Sequence, residues 1–297
     1  MTNPFKQPQN IWKLNFPSYF HMLPIFEEYF ADITDNICCY EISSKTVESM
    51  PDDLWRFEAY LENNIDIEAL KKQLQKIAPD WTFAEEITLE LLEDIDWAKK
   101  VQENFSPMEV GDFFITNPNS AHLCPEGKNK IIIEASRAFG TGEHQTTQGC
   151  IEAIDSQKNE NYSHILDVGT GTGILAIVAS KIWPNANVIG SDIEEIAVEI
   201  SNLHAKTNDV KVEFLFCDGA PSLEDQVDLL ISNILAKPLI AMAEDFRKII
   251  NENGKVILSG FLHYQLASIL EAYINNGFTP ISIINKNNWI TLTLKPE

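Results

Sequence analysis

Basic side chains are scarce in this chain: 22 Lys and Arg stand against 44 Asp and Glu, a formal net charge of -22 over 297 residues. Neither half is basic. A surface of this sign repels phosphate backbones, which disfavours direct binding of nucleic acid and favours a basic protein partner. Cysteine pairs are missing too. Cys38, Cys39, Cys124, Cys150 and Cys217 are odd in number and form no CxxC, so free thiols in a reducing compartment are expected and no disulfide framework or zinc site. The six histidines show no HExxH spacing, and no metal is expected. No run approaches the ~18 apolar residues of a membrane span, and the start "MTNPFKQPQNIWKLNF" has no signal core, so a cytoplasmic protein without membrane contact is expected.

What is present has two rhythms. In the first, "IWKLNF", "DNICCYEI", "LWRFEAYL" and "WTFAEEITL" read as strands, "YFHMLPIFEEYF" as a helix interrupted by Pro24, and 66–77 as an amphipathic helix. The order strand, helix, strand, strand, helix, strand predicts a small ferredoxin-like α+β domain over residues 1–92. Residues 93–130 read as a linker, with a helix in "DIDWAKKVQENF", a strand in "VGDFFIT" and a turn-rich loop after it.

From 131 to 297 apolar strands alternate with helices, beginning at "SHILDV" and "GILAIVASKI". That alternation predicts a mostly parallel sheet covered on both faces. "FTPISIIN" and "WITLTLK" lie too close together for a crossover helix and should pair as an antiparallel hairpin.

The first strand of this region runs into "DVGTGTG", residues 167–173. Gly169, Gly171 and Gly173 are spaced G-x-G-x-G, whereas a dinucleotide fingerprint wants its third glycine where Ile174 stands. No Lys-Ser or Lys-Thr follows, which excludes a P-loop. Asp192 ends the next strand, where a carboxylate accepts both hydroxyls of a ribose. Without phosphate to bind, Asp167 beside the glycines is free to face an ammonium. A nucleoside carrying an amino acid satisfies all three features. The ligand expected is S-adenosyl-L-methionine, with a ligand-free turn or a nicotinamide dinucleotide still open, and the stretch resembles a class I methyltransferase with its seven-stranded, Rossmann-like sheet.

Two further stretches, "RAFGTGEHQTT" (137–147) and "SNILAKPL" (232–239), together with "VQENFSPMEVGDFFITNP" upstream, resemble the methyltransferase family that modifies large-subunit ribosomal protein eleven. The resemblance implies cofactor contacts at Thr147, Gly169, Asp192 and Asn233, and softer ones at Asp167, Gly171 and Asp218. Phe139 would pack over the cofactor or pin its loop, and "FGTGEH" resembles a lid. Asn233 is the implied catalytic residue, aiming an amine at the methyl group or holding the cofactor beside it. His144 is expected to order its loop. The chain departs from the family pattern where Ala135 and Ser136 replace a usual Pro-Gly, and at Glu143.

The implied activity is N-methylation of lysine side chains, and of an N-terminal amine, on a basic ribosomal protein held by the first domain. Another protein lysine, as in an electron-transfer flavoprotein subunit, a small amine, or a non-catalytic cofactor-binding role stay open at this point.

Overall fold

The computed structural model describes residues 11–31, 33–34, 37–43, 50–92, 107–134 and 145–297. The chain divides into two compact units, the described residues up to 92 in one and those from 107 onward in the other.

The small unit runs β1 (Ile11–Tyr19), α1 (Leu23–Ala31), β2 (Ile37–Ser43), β3 (Leu54–Leu61), α2 (Ile67–Ile77) and β4 (Thr88–Leu92). Its sheet has the order β2-β3-β1-β4 with antiparallel neighbours, the ferredoxin-like arrangement. Pro24 does not break α1. It is the second residue of the helix, following a 3₁₀ turn over Phe20–Met22, where a missing N–H leaves no bond unmade. Asp66 caps α2 by accepting from the N–H groups of Glu68 (2.9 Å) and Ala69 (3.1 Å), worth about 1 kcal/mol.

Alternation along β1 and β3 turns Leu14, Phe16, Phe57 and Ala59 inward, where α1 and α2 cover them. Phe16 meets Phe26, Phe57 and Trp81 at ring centroid distances of 5.1, 4.9 and 5.0 Å. Each such pair adds ~1 kcal/mol beyond its burial. The first part of "WTFAEEITL" is not strand: Trp81 is drawn into this core, its Nε1–H on the Pro17 carbonyl at 2.9 Å, and the ladder begins only at Thr88.

The second unit is built on β8 (His164–Val168), β9 (Asn187–Asp192), β10 (Glu213–Phe216), β11 (Val227–Asn233), β12 (Ile250–Leu262), β13 (Phe278–Lys286) and β14 (Trp289–Pro296). They form one sheet in the order β10-β9-β8-β11-β12-β14-β13. The first five are parallel, and β14 runs antiparallel to both its neighbours. Asn287 and Asn288 turn the final hairpin with φ of 50° and 67°, the pair of positive values that a two-residue type I′ turn requires.

Helices α3 (Gln145–Asp155), α4 (Ile174–Ile182) and α5 (Glu195–Thr207) share one core with Ile165, Leu229, Ile231 and Ile257. On the other face α6 (Ala236–Ala241), α7 (Ala243–Ile249) and α8 (Leu266–Asn275) pack with Leu166, Leu230, Val256 and Leu258. "PLIAMAEDFRKII" thus forms two helices rather than one.

The expected linker differs in its described part. Residues 107–132 form a second sheet of β5 (Met108–Val110), β6 (Phe113–Thr116) and β7 (Asn129–Ile132). Val110, Phe113, Ile115 and Ile131 are buried in the same core as α3 and α4. Burying apolar area at roughly 25 cal/mol per Å² makes this stretch part of the second unit rather than a connection. The remainder, 93–106, lies outside the described residues, as does the expected linking helix in it.

Candidate active site

In an open parallel sheet, ligands lie beyond the carboxyl ends of the strands where the chain reverses direction across the sheet. Here β8, β9 and β10 step outward one way and β11 and β12 the other, so the reversal falls between β8 and β11. Asp167, Gly169 and Gly171 come at the end of β8, Asp192 at the end of β9 and Asn233 at the end of β11. The fold brings together residues up to 66 apart in sequence.

The turn after β8 is held at several points. The N–H groups of Gly169 and Thr170 donate to the Ser191 carbonyl at 2.8 and 2.9 Å, and that of Gly171 to Asp192 Oδ2 at 2.8 Å. Gly169 has a φ of +74°, and a Cβ there would stand 2.2 Å from Ile234 Cγ2. Neither the backbone nor the space admits a side chain, and a ligand can approach the bare main chain. Gly173 lies against α5, where an added Cβ would be 2.9 Å from Ser201 Cβ.

Asp192 lies at the end of β9, beside the turn. Its carboxylate also organises the protein, since Oδ1 accepts from the Glu194 N–H at 3.0 Å while Oδ2 holds Gly171. A carboxylate has about four acceptor positions, so two hydroxyls still find room. Asp218 is exposed just after β10, and the Cys217 N–H donates to the Asp192 carbonyl at 2.9 Å, tying that strip to β9. Ile193 and Phe216 leave apolar surface in the open here, at 62% and 65% exposure. Phe216 stands opposite Asp192 in the ladder, so this apolar patch adjoins the carboxylate and suits a flat base.

Asp167 is fully buried. Its Oδ2 accepts from Thr170 Oγ1 at 2.7 Å and from the Ala176 N–H at 3.2 Å, at the start of α4. Its Oδ1 has no hydrogen-bond partner among the described residues. Burial pushes the carboxyl up to about 7; the two hydrogen bonds oppose this and the charge of Asp192 adds to it. Asn233 shows the same pattern. Its Nδ2 donates to Thr147 Oγ1 at 3.5 Å, and its Oδ1 is buried without a partner among the described residues.

Asp167 pairs in register with Ile231, so Asn233, two residues further along β11, projects from the same sheet face as Asp167. This is the face that carries α3, with Thr147 buried in its first turn. An unsatisfied buried acceptor costs ~1–3 kcal/mol. Two of them, on one sheet face at the strand ends that carry the glycine turn, fit a ligand that presents N–H donors.

Behind Asn233, Ser259 donates to the Ile290 carbonyl at 2.7 Å and meets Thr291 Oγ1 at 3.0 Å. Gly260 has a φ of +95°, and a Cβ there would lie 2.1 Å from the Ile234 carbonyl oxygen. The "SNIL" turn can cross β12 only because Gly260 has no side chain. Sequence reading did not single out Gly260, although a lone glycine in a strand signals such an approach. Ser232 is a further addition, donating to the Val168 carbonyl at 2.9 Å and closing the gap between β11 and β8. Phe139 and His144 lie outside the described residues. Among the described residues no group of His, Cys, Asp and Glu is arranged to hold a metal, and no helix is long and apolar enough to cross a membrane.

Most of the chain resembles known proteins of one family. The family described as ribosomal protein L11 methyltransferase (PrmA) matches residues 28–297. A ribosomal protein L11 methyltransferase of Agrobacterium fabrum is 32% identical over 284 residues, covering 93% of this chain and 94% of the relative. One from Caulobacter sp. is 32% identical over 272 residues, covering 89% and 92%. Among solved structures, a ribosomal protein L11 methylase from Lactobacillus delbrueckii subsp. bulgaricus superposes with a TM-score of 0.60 at 27% identity, covering 65% of this chain and all of that one.

Proposed function

Since this chain belongs to the ribosomal protein L11 methyltransferase family, we propose that it methylates amino groups of ribosomal protein L11, lysine side chains and the N-terminal amine, at the site formed by Asp167, the glycine turn and Asn233. The observation that carries this reading is the pair of buried, unpartnered acceptors, Asp167 Oδ1 and Asn233 Oδ1, on one face of the sheet. S-adenosylmethionine is the cofactor, and when bound it supplies an electrophilic methyl group on a sulfonium.

Each residue then has a physical task. Asp167 offers its free oxygen to the cofactor's ammonium. The glycine turn gives access to main chain at Gly169 and Gly171. Asp192 accepts the ribose hydroxyls, and the strip with Asp218, Ile193 and Phe216 takes the base. Thr147 holds the Asn233 amide so that Oδ1 faces the incoming amine.

A lysine amine has a reference pKa of about 10.4, so presenting it neutral at pH 7 costs ~4.6 kcal/mol. Desolvation in the site and a neighbouring positive charge lower that cost. Asn233 Oδ1 accepts one N–H of the neutral amine and aims its lone pair, a contribution of orientation rather than of proton transfer. The small unit, with its acidic composition, would hold the basic substrate protein.

The test is methyl transfer from labelled S-adenosylmethionine to purified ribosomal protein L11 and to the total ribosomal proteins of cells lacking this enzyme. Label on L11, mapped by mass spectrometry to amino groups, is the expected result. Label on other proteins alone, or on carboxyl or guanidino groups, overturns the assignment.

A further inference from the structure

Helix α5 carries a histidine that nothing in the sequence pattern sets apart. His204 is 2% exposed, and its ring joins two stretches of main chain that are distant in sequence. Nδ1 lies 2.8 Å from the Thr172 carbonyl oxygen, and Nε2 lies 3.1 Å from the Glu134 N–H. A carbonyl only accepts and a backbone N–H only donates. The ring is therefore neutral with its proton on Nδ1. Burial, which disfavours the imidazolium, acts in the same sense, while the Thr172 carbonyl opposes it.

The Glu134 side of this bridge belongs to a larger contact. Among the described residues strand β7 pairs only with β6, which leaves its outer edge to be satisfied elsewhere. Four residues beyond His204, Asn208 Oδ1 accepts from the Ile132 N–H at 2.8 Å. Asn208 Nδ2 donates to the Ile132 and His204 carbonyls, each at 2.8 Å. Side chains from the end of α5 thus stand in for a missing strand. Asn208 accounts for the edge at Ile132 and His204 for the N–H of Glu134.

The Thr172 side is where that ring meets the cofactor's seat. Thr172 lies between Gly171, whose N–H is held by Asp192, and Gly173, whose N–H donates to the Thr170 carbonyl at 2.8 Å. The carbonyl of Thr172 and the N–H of Gly173 belong to one rigid peptide plane. Fixing the carbonyl fixes the plane and with it the last bend before α4.

We propose that His204 is a positioning residue for the cofactor: its Nδ1–H holds the Thr172–Gly173 peptide in the orientation that leaves the glycine turn open, and the Glu134 N–H locks the ring in the tautomer that can do so. The proposal rests on residues 169–173 being the cofactor's seat, and it adds a residue that touches no substrate.

Two amide substitutions separate this role from simple packing. His204→Asn keeps a donor where Nδ1 stands and is too short to reach Glu134. His204→Gln reaches Glu134 with its carbonyl oxygen and removes the donor that His204 gives to the Thr172 carbonyl. The expected result is a KM for S-adenosylmethionine about tenfold higher in the Gln variant, the size of one lost buried hydrogen bond, with kcat at saturation little changed. The Asn variant keeps a near-normal KM even though its Tm falls. Equal KM values for the two variants, or KM values that follow Tm, overturn the proposal.

A measurement on the unaltered protein covers the case in which neither variant folds. With 15N-labelled histidine, the His204 nitrogens should report a neutral ring protonated on Nδ1, and their signals should shift as S-adenosylmethionine is titrated to saturation. The other tautomer, or no shift at saturation, overturns the proposal. Calorimetry on the same sample tells the two failures apart. Absence of cofactor binding sinks the seat together with the role of His204, while binding without any response at His204 sinks the role alone.

Discussion

The two units each bury a carboxylate, and they treat it in opposite ways. Glu58, on β3 of the small unit, is 5% exposed. Its Oε1 takes Lys13 Nζ at 2.6 Å and Tyr40 OH at 2.8 Å, and its Oε2 takes Tyr60 OH at 3.0 Å. Burial alone would push this carboxyl up, but the hydrogen bonds from Lys13, Tyr40 and Tyr60 outweigh it and hold it below its ordinary value. Asp167 is buried more completely, has one oxygen occupied, and is pushed up. A buried acid whose acceptor positions are filled serves the fold. One left half filled costs stability in the free protein and keeps room for a ligand.

The strongest test of this contrast is at the other unpartnered acceptor. Replacing Asn233 by Ala should lower kcat about a hundredfold, the scale on which a single preorganised hydrogen-bonding group acts in a reaction. S-adenosylmethionine affinity, measured by calorimetry, should change by no more than about threefold. A loss of affinity instead would make Asn233 a cofactor holder and end its catalytic role.

Glu58→Gln should destabilise the small unit by about 2 kcal/mol, because Lys13 is left near a neutral amide and one tyrosine must find another acceptor. Denaturant unfolding reads this directly, and cofactor affinity should not respond. A variant as stable as the parent would mean that filled positions count for less than the contrast requires.

The pH dependences should also differ in sign. The lowered carboxyl of Glu58 contributes stability that is present above the ordinary carboxyl range and is lost as pH falls through and below it. The raised carboxyl of Asp167 favours the free folded protein at low pH, and that advantage declines as pH rises toward about 7. Cofactor binding should therefore tighten with rising pH, by up to about tenfold per unit below 7, and level off above. It should also release up to about one proton at pH 6, measured calorimetrically in buffers of different ionisation enthalpy. A flat profile would show that the free oxygen of Asp167 does not face the cofactor's ammonium.

The smallest effect belongs to a group with only a structural task. Asp66→Ala removes the α2 cap and should cost about 1 kcal/mol in the small unit without altering methyl transfer. Any change in KM for the cofactor would break the separation between the units.

Much of this was legible in the residues because the signals are local and repeated. Strand and helix periodicities placed both sheets. The glycine spacing after an apolar strand marked a tight strand-to-helix turn, and the structure puts Asp167, Asp192 and Asn233 at the ends of β8, β9 and β11. The failures have physical causes. Strands β5, β6 and β7 span three or four residues each, too few to show a period, and their burial comes from α3 and α4, which follow much later in the chain. The break between α6 and α7 falls at Met242, where no proline or glycine marks it. His204 is hidden because one histidine on the buried side of an amphipathic helix has the pattern of any core residue, and its role depends on Thr172 and Glu134, 32 and 70 residues away.

One consequence follows from the order of the strands. Strand β14 is the last in sequence yet lies inside its sheet, between β12 and β13. On a translating ribosome, β13 has nothing to pair with until residues 289–296 have emerged, whereas the strands of the small unit are all available once residue 92 has cleared the exit. The small unit thus matures first, and the larger one stays unfinished, with apolar strand edges uncovered, until the closing hairpin arrives.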